Sequence, residues 1–131
     1  MSILPSLFLA IPAVVMAGGL APAKRPDFSA VTSVAAARKL VADGYLVESL
    51  AFPAELGGPP DKENIIYLPP AVVTTRALVI GTLKRMSRDG SIDRMKVEPD
   101  YRGDSIVPAR LRMTAWRSGE KTKFEAVIEV W

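Results

Sequence analysis

The chain has 131 residues, 49% of them apolar and 24% charged. That is enough for one hydrophobic core and too short for two domains of ordinary size. Lys and Arg number 17 against 14 Asp and Glu, a net of +3. The cations are dispersed among acids, which permits weak attraction to nucleic acid or anionic surfaces and excludes a dedicated polybasic tract. With no cysteine, a disulfide framework and a thiolate zinc site are excluded.

Residues 1–23, "MSILPSLFLAIPAVVMAGGLAPA", carry no charged side chain, and the first charge is Lys24. An apolar stretch ending in small residues predicts a secretory leader, cleaved after Ala17 or Ala23, and a periplasmic or secreted product. The alternative is a membrane anchor retained uncleaved, which Pro5 and Pro12 disfavour as a continuous helix. Residues 24–29 read as a linker, and residues 30–131 as a single domain.

The stretch 29–44 predicts a helix capped by Ser29 or Thr32 and ended by Asp43-Gly44. Val34, Ala37, Leu40 and Val41 form its apolar stripe. Residues 45–52 predict a strand stopped by Pro53. The turn "ELGGPPDKEN" follows, and "IIYL" predicts a short buried strand. Pro69-Pro70 opens a long helix to about Arg88, because proline suits the first helical position. Val72, Val79, Leu83 and Met86 mark its apolar face, widened by Val73, Ala77 and Ile80. Lys84, Arg85 and Arg88 complement the dipole at its end, a simpler account than a phosphate-binding patch.

Three strands are expected next. In the first, Ile92 is out of phase with Met95 and Val97, which predicts a bulge. In the second, Val107, Ala109, Leu111, Met113 and Ala115 alternate with Arg110, Arg112, Thr114 and Trp116. In the third, Phe124, Ala126, Ile128 and Val130 alternate with Glu125, Val127, Glu129 and Trp131. The arginines and glutamates are expected to pair across strands, and Leu111, Met113, Phe124 and Ile128 to face the long helix. The order α-β-β-α-β-β-β defines an α+β fold, a mostly antiparallel sheet with one long helix packed on it and an additional N-terminal helix.

Pro99, Tyr101, Gly103, Asp104, Ser105 and Pro108 spell Pro-x-Tyr-x-Gly-Asp-Ser-x-x-Pro, preceded by Gly90 and the apolar pair Met95 and Val97. Upstream, Gly57-Gly58 stand before Asn64-Ile65-Ile66. Over about residues 45–131 this pattern resembles the DNA/RNA non-specific endonuclease domains of bacterial polymorphic toxins. Those are similar to the wider ββα-metal, or His-Me finger, nucleases. The resemblance implies a histidine general base before the Gly-Gly turn and metal ligands on the following helix. The base position falls on Leu50, and the preceding Asp and Gly positions on Val47 and Ser49. The chain has no histidine anywhere, and its long helix has no Asn, Asp or Glu. Leucine neither titrates nor binds a hard cation, so the resemblance implies a vacated site, with no catalytic residue, cofactor or metal expected.

Glu48, Glu55, Asp61 and Glu63 flank the turn and are read first as solvated loop charges. Gly57, Gly58, Asp61, Glu63 and Asn64 form the candidate binding turn. Tyr101 is read as packing in preference to a base-stacking platform, and the Arg102–Asp104 tripeptide as a turn. Three functions remain open: a non-catalytic exported interaction module, a nuclease or nucleic-acid binder using other residues, and an envelope protein sharing only the fold. The partner is unknown; a protein is one candidate, nucleic acid a weak one, and a membrane only with the leader uncleaved.

Overall fold

The computed structural model describes residues 26–131; the leader expected over 1–23 lies outside the described residues. Helix α1 (Val34–Ala42) leads to a hairpin of β1 (Val47–Leu50) and β2 (Ile65–Leu68), with single 3₁₀ turns at Ala54–Leu56 and Lys62–Asn64 between the two strands. Helix α2 (Pro70–Arg88) follows, then β3 (Arg94–Tyr101), β4 (Pro108–Trp116) and β5 (Lys123–Glu129). The fold is α+β in the expected order. Its strands form two separate antiparallel sheets, β1-β2 and β3-β4-β5. Among the described residues no helix is long and apolar enough to cross a membrane.

Local chemistry explains the helix limits. The cap of α1 is Ser33, not Ser29 or Thr32: its Oγ accepts from the Ala36 N–H at 3.1 Å. Ser29 and Val31 before it are tied elsewhere, to Asp27 and to Phe28 and Ile106. Val34, placed on the apolar stripe by its spacing, is 49% exposed, and Ala37 is the fully buried residue of α1. Helix α2 begins as proline chemistry dictates. Pro69 caps it, Pro70 holds the first position, and the Val72 and Val73 N–H groups donate to the Pro69 carbonyl. Its end is closed by Asp89 and Gly90, the latter at φ +79°, with Arg85 and Arg88 in the last turn.

The three-stranded sheet follows its alternation closely. In β4, Ala109, Leu111, Met113 and Ala115 are all buried, as is Val107 just before it. Arg110 pairs with Glu129 at 2.9 Å, and Arg112 reaches Glu125 at 3.8 Å and Asp100 at 3.9 Å. Buried Val72, Ile80 and Leu83 of α2 share the core with Leu111, Met113 and Ile128, while Phe124 stays half-buried at its margin. Two expectations fail here. Ile92 is buried but lies ahead of β3, and the register shift falls at Asp100/Tyr101. Thr114, assigned outward, is buried in the central strand.

The stretch 24–29 is more than a linker where it is described. Phe28 and Val31 are buried, the Ser105 hydroxyl donates to the Phe28 carbonyl at 2.8 Å, and the Ile106 N–H donates to Val31 at 2.9 Å. Trp131 closes the same corner. β5 stops at Glu129, so the alternation lapses and both Val130 and Trp131 turn inward. The Trp131 ring meets Phe28 edge-on at 6.3 Å, and its indole N–H donates to the Val107 carbonyl at 3.0 Å.

Candidate functional site

The site is built from the hairpin and α2. β1 and β2 pair in register, Val47 with Leu68, Ser49 with Ile66, and Leu50 with Ile65. Val47 is exposed at the start of β1, while Ser49 and Leu50 are half-buried, and Leu50 faces α2 across a cleft. This cleft, of about 310 Å³, is lined by Leu50, Pro53 and Glu55 on one side and by Val73, Arg76, Ile80, Gly81 and Lys84 of α2 on the other.

Arg76 dominates this cleft. It lies in the apolar face of α2, four residues from Val72 and from Ile80, and is only 5% exposed. Its Nη2 donates to the Leu50 carbonyl and, at 2.7 Å, to the Ala51 carbonyl. These carbonyls lie at the end of β1 and just past it, and the guanidinium gives them a charge-assisted donor. Its Nε is buried with no hydrogen-bond partner. Burial pushes the guanidinium below its ordinary pKa, and the Glu55 carboxylate works in the opposite direction. Arginine remains charged in proteins, so the group is a fixed cation at the mouth of the hairpin.

The Gly-Gly turn is held rigidly beside the cleft. Gly57 closes the first 3₁₀ turn at φ +98°, a left-handed position that favours glycine. Gly58 is required for a different reason: a Cβ there would sit 1.8 Å from the Phe52 carbonyl oxygen. Asn64 staples the loop. Its Oδ1 accepts from the Phe52 N–H at 2.8 Å, and its Nδ2 donates to the Phe52 carbonyl at 3.0 Å and the Pro59 carbonyl at 2.9 Å. The amide is spent on the loop's own backbone, so Asn64 presents no free group from the candidate binding turn. Asp61 and Glu63 are exposed on its outer side. Of the four flanking acids only Glu55 lines the cleft. Among the described residues no three His, Cys, Asp or Glu side chains gather into a metal-holding group.

The Pro99–Pro108 motif lies away from this cleft and has structural work of its own. Pro99 is half-buried in β3, and Pro108 is fully buried at the start of β4. Gly103 adopts φ +59°, and Ser105 is buried with its hydroxyl bonded to Phe28. Asp104 is exposed. Tyr101 is 51% exposed at the register shift, and partial burial raises its phenol pKa. Arg102 lies over the Trp131 ring at 4.6 Å and donates to the Trp131 carbonyl at 2.8 Å, so the Arg-Gly-Asp tripeptide is bound down on its arginine side.

Sequence reasoning missed Arg76. Its spacing from Val72 and Ile80 is the available signal: a lone cation inside an otherwise apolar helical face. Lys84, expected to serve only the helix end, also lines the cleft. In comparisons with protein-family models, with curated proteins and with solved structures, the chain matches none.

Proposed function

We propose that the chain is an exported, non-catalytic relative of the toxin nucleases and acts as an interaction module. The observation that carries this reading is Arg76, bonded to the Leu50 and Ala51 carbonyls where the resemblance expects a general base and a metal. A permanently protonated guanidinium cannot accept a proton from water. A buried cation also opposes a divalent ion in the same cleft through direct repulsion. The ligands such an ion needs are oxygens, and α2 offers none from a carboxylate or amide side chain. Rigid loop packing around Gly58 and Asn64 supports a retained scaffold with altered contents. Export rests on the charge-free 1–23 stretch.

The test is incubation of the purified chain with plasmid DNA and with RNA, supplying Mg²⁺, Mn²⁺ and Ca²⁺ in turn. No cleavage above the metal-only control is expected, since loss of a general base alone removes a factor of roughly 10² to 10⁴. Metal-dependent cleavage that disappears in Glu48→Gln or Glu55→Gln would overturn the non-catalytic reading.

A further inference from the structure

We propose that the cleft between β1 and α2 binds a single carboxylate carried on a short apolar chain, with Arg76 as its guanidinium partner. The proposal rests on the reading of this cleft as non-catalytic and names the chemistry it accepts.

Size and lining come first. At about 310 Å³ the cleft is at the small end of ligand sites, and Leu50, Val73 and Ile80 give it an apolar wall. Gly81 keeps the floor open. A Cβ at that position would meet only the Arg85 guanidinium, in ordinary van der Waals contact at 3.9 Å, and the position lines the cleft.

The polar chemistry selects the head group. Arg76 spends Nη2 on two carbonyls and keeps a buried Nε–H with no acceptor. The chain therefore satisfies only part of this guanidinium's donor set. A carboxylate in the cleft is the charge-assisted acceptor that suits a guanidinium lining it. The lining charges limit it to one. Arg76 and Lys84 are cations, and Glu55 faces them as an anion, leaving a single positive excess. A phosphate dianion or a nucleic-acid backbone brings more negative charge than this balance accepts and places it against Glu55. An amine would meet two cations.

The experiment titrates the ¹⁵N-labelled full chain with hexanoate, following backbone resonances, with hexylamine and inorganic phosphate as parallel probes at matched ionic strength. Hexanoate is expected to shift residues 50, 76, 80 and 81 saturably, with a Kd of about 1 mM for so small a ligand. Gly81→Leu fills the cleft from an open helical position and is expected to weaken binding at least about tenfold with the amide spectrum otherwise retained. Arg76→Lys keeps the charge and loses the planar fork, and is expected to weaken it by a similar factor. The proposal is overturned if hexanoate leaves these residues unmoved or shifts only residues 1–23. It is equally overturned if phosphate or hexylamine binds there as well as hexanoate, or if Gly81→Leu binds like the parent chain. The nuclease assay fails separately: cleavage of nucleic acid would sink the non-catalytic reading, whereas a silent hexanoate titration without cleavage sinks only this one.

Discussion

The three-stranded sheet and the hairpin–α2 cleft are built under opposite rules. In the sheet, apolar residues face in, charges face out, and each arginine of β4 finds an acid across the strand. In the cleft, a cation is buried in an apolar helical face, a donor stays unpaired, and two glycines stand where side chains do not fit or are not wanted. Ion pairs on the sheet are half-exposed and contribute only about 0–1 kcal/mol each, so its stability resides in packing. The cleft carries features that cost stability and are supported by their neighbours. The buried cation, its unpaired donor and the crowded glycine therefore lie together beside the cleft.

The largest effect should come from the sheet. Leu111→Ala, at a fully buried position of the central strand, is expected to cost roughly 2–5 kcal/mol in denaturant unfolding. A loss below about 0.5 kcal/mol, the range of neutral surface changes, would show that the sheet's packing does not dominate. Next comes the turn beside the cleft. Gly58→Ala is expected to cost more than about 1 kcal/mol, because its Cβ collides with the Phe52 carbonyl. Hydrogen exchange should then quicken at residues 52–64 and stay unchanged in β4, separating the two regions; equal quickening in both would merge them.

The smallest effect is acid sensitivity at the sheet's end. The Ser118 N–H, 2.8 Å from Asp93, is the main cause holding that carboxyl below its ordinary pKa, with help from the Ser118 hydroxyl. A depressed folded pKa means the contribution is present above the unfolded value, about 4, and is lost as pH falls through the folded one. The melting temperature is expected to fall as pH drops below about 4, and to fall less in Asp93→Asn. Identical pH profiles for the two proteins would remove Asp93 from the account.

The same contrast governs what could be read in advance. The alternation through Val107 and Met113 and the proline start at Pro70 are local, and both were legible because short-range sterics and period fix them. The fold class followed from their order. Less legible were features decided by distant partners. Thr114 is buried in the central strand, flanked by Lys96 of β3 and Glu125 of β5. Trp131 turns inward because β5 ends at Glu129 and Val107 offers an acceptor. α1 starts late because residues 28–31 belong to the Ser105 corner. Arg76 was hidden by the general rule that cations stay outside, and its bonds to the Leu50 and Ala51 carbonyls explain its place. Gly57-Gly58 and Asn64 were visible as a rigid turn. That Asn64 turns inward depends on three backbone groups of the loop, which no spacing rule places.

The corner where Ser105 meets Phe28 and Phe28 meets Trp131 has a consequence for the order of assembly. Ser105 and Phe28 lie 77 residues apart in the chain, and Trp131 seals their contact from further still. Closing so long a loop is entropically slow, and its reward arrives only when the last partner is present. During synthesis the β1-β2 hairpin and α2 can form early from neighbouring residues. That corner is complete only with Trp131 in place, so its closure is expected as a late event that joins the two extremes of the described chain.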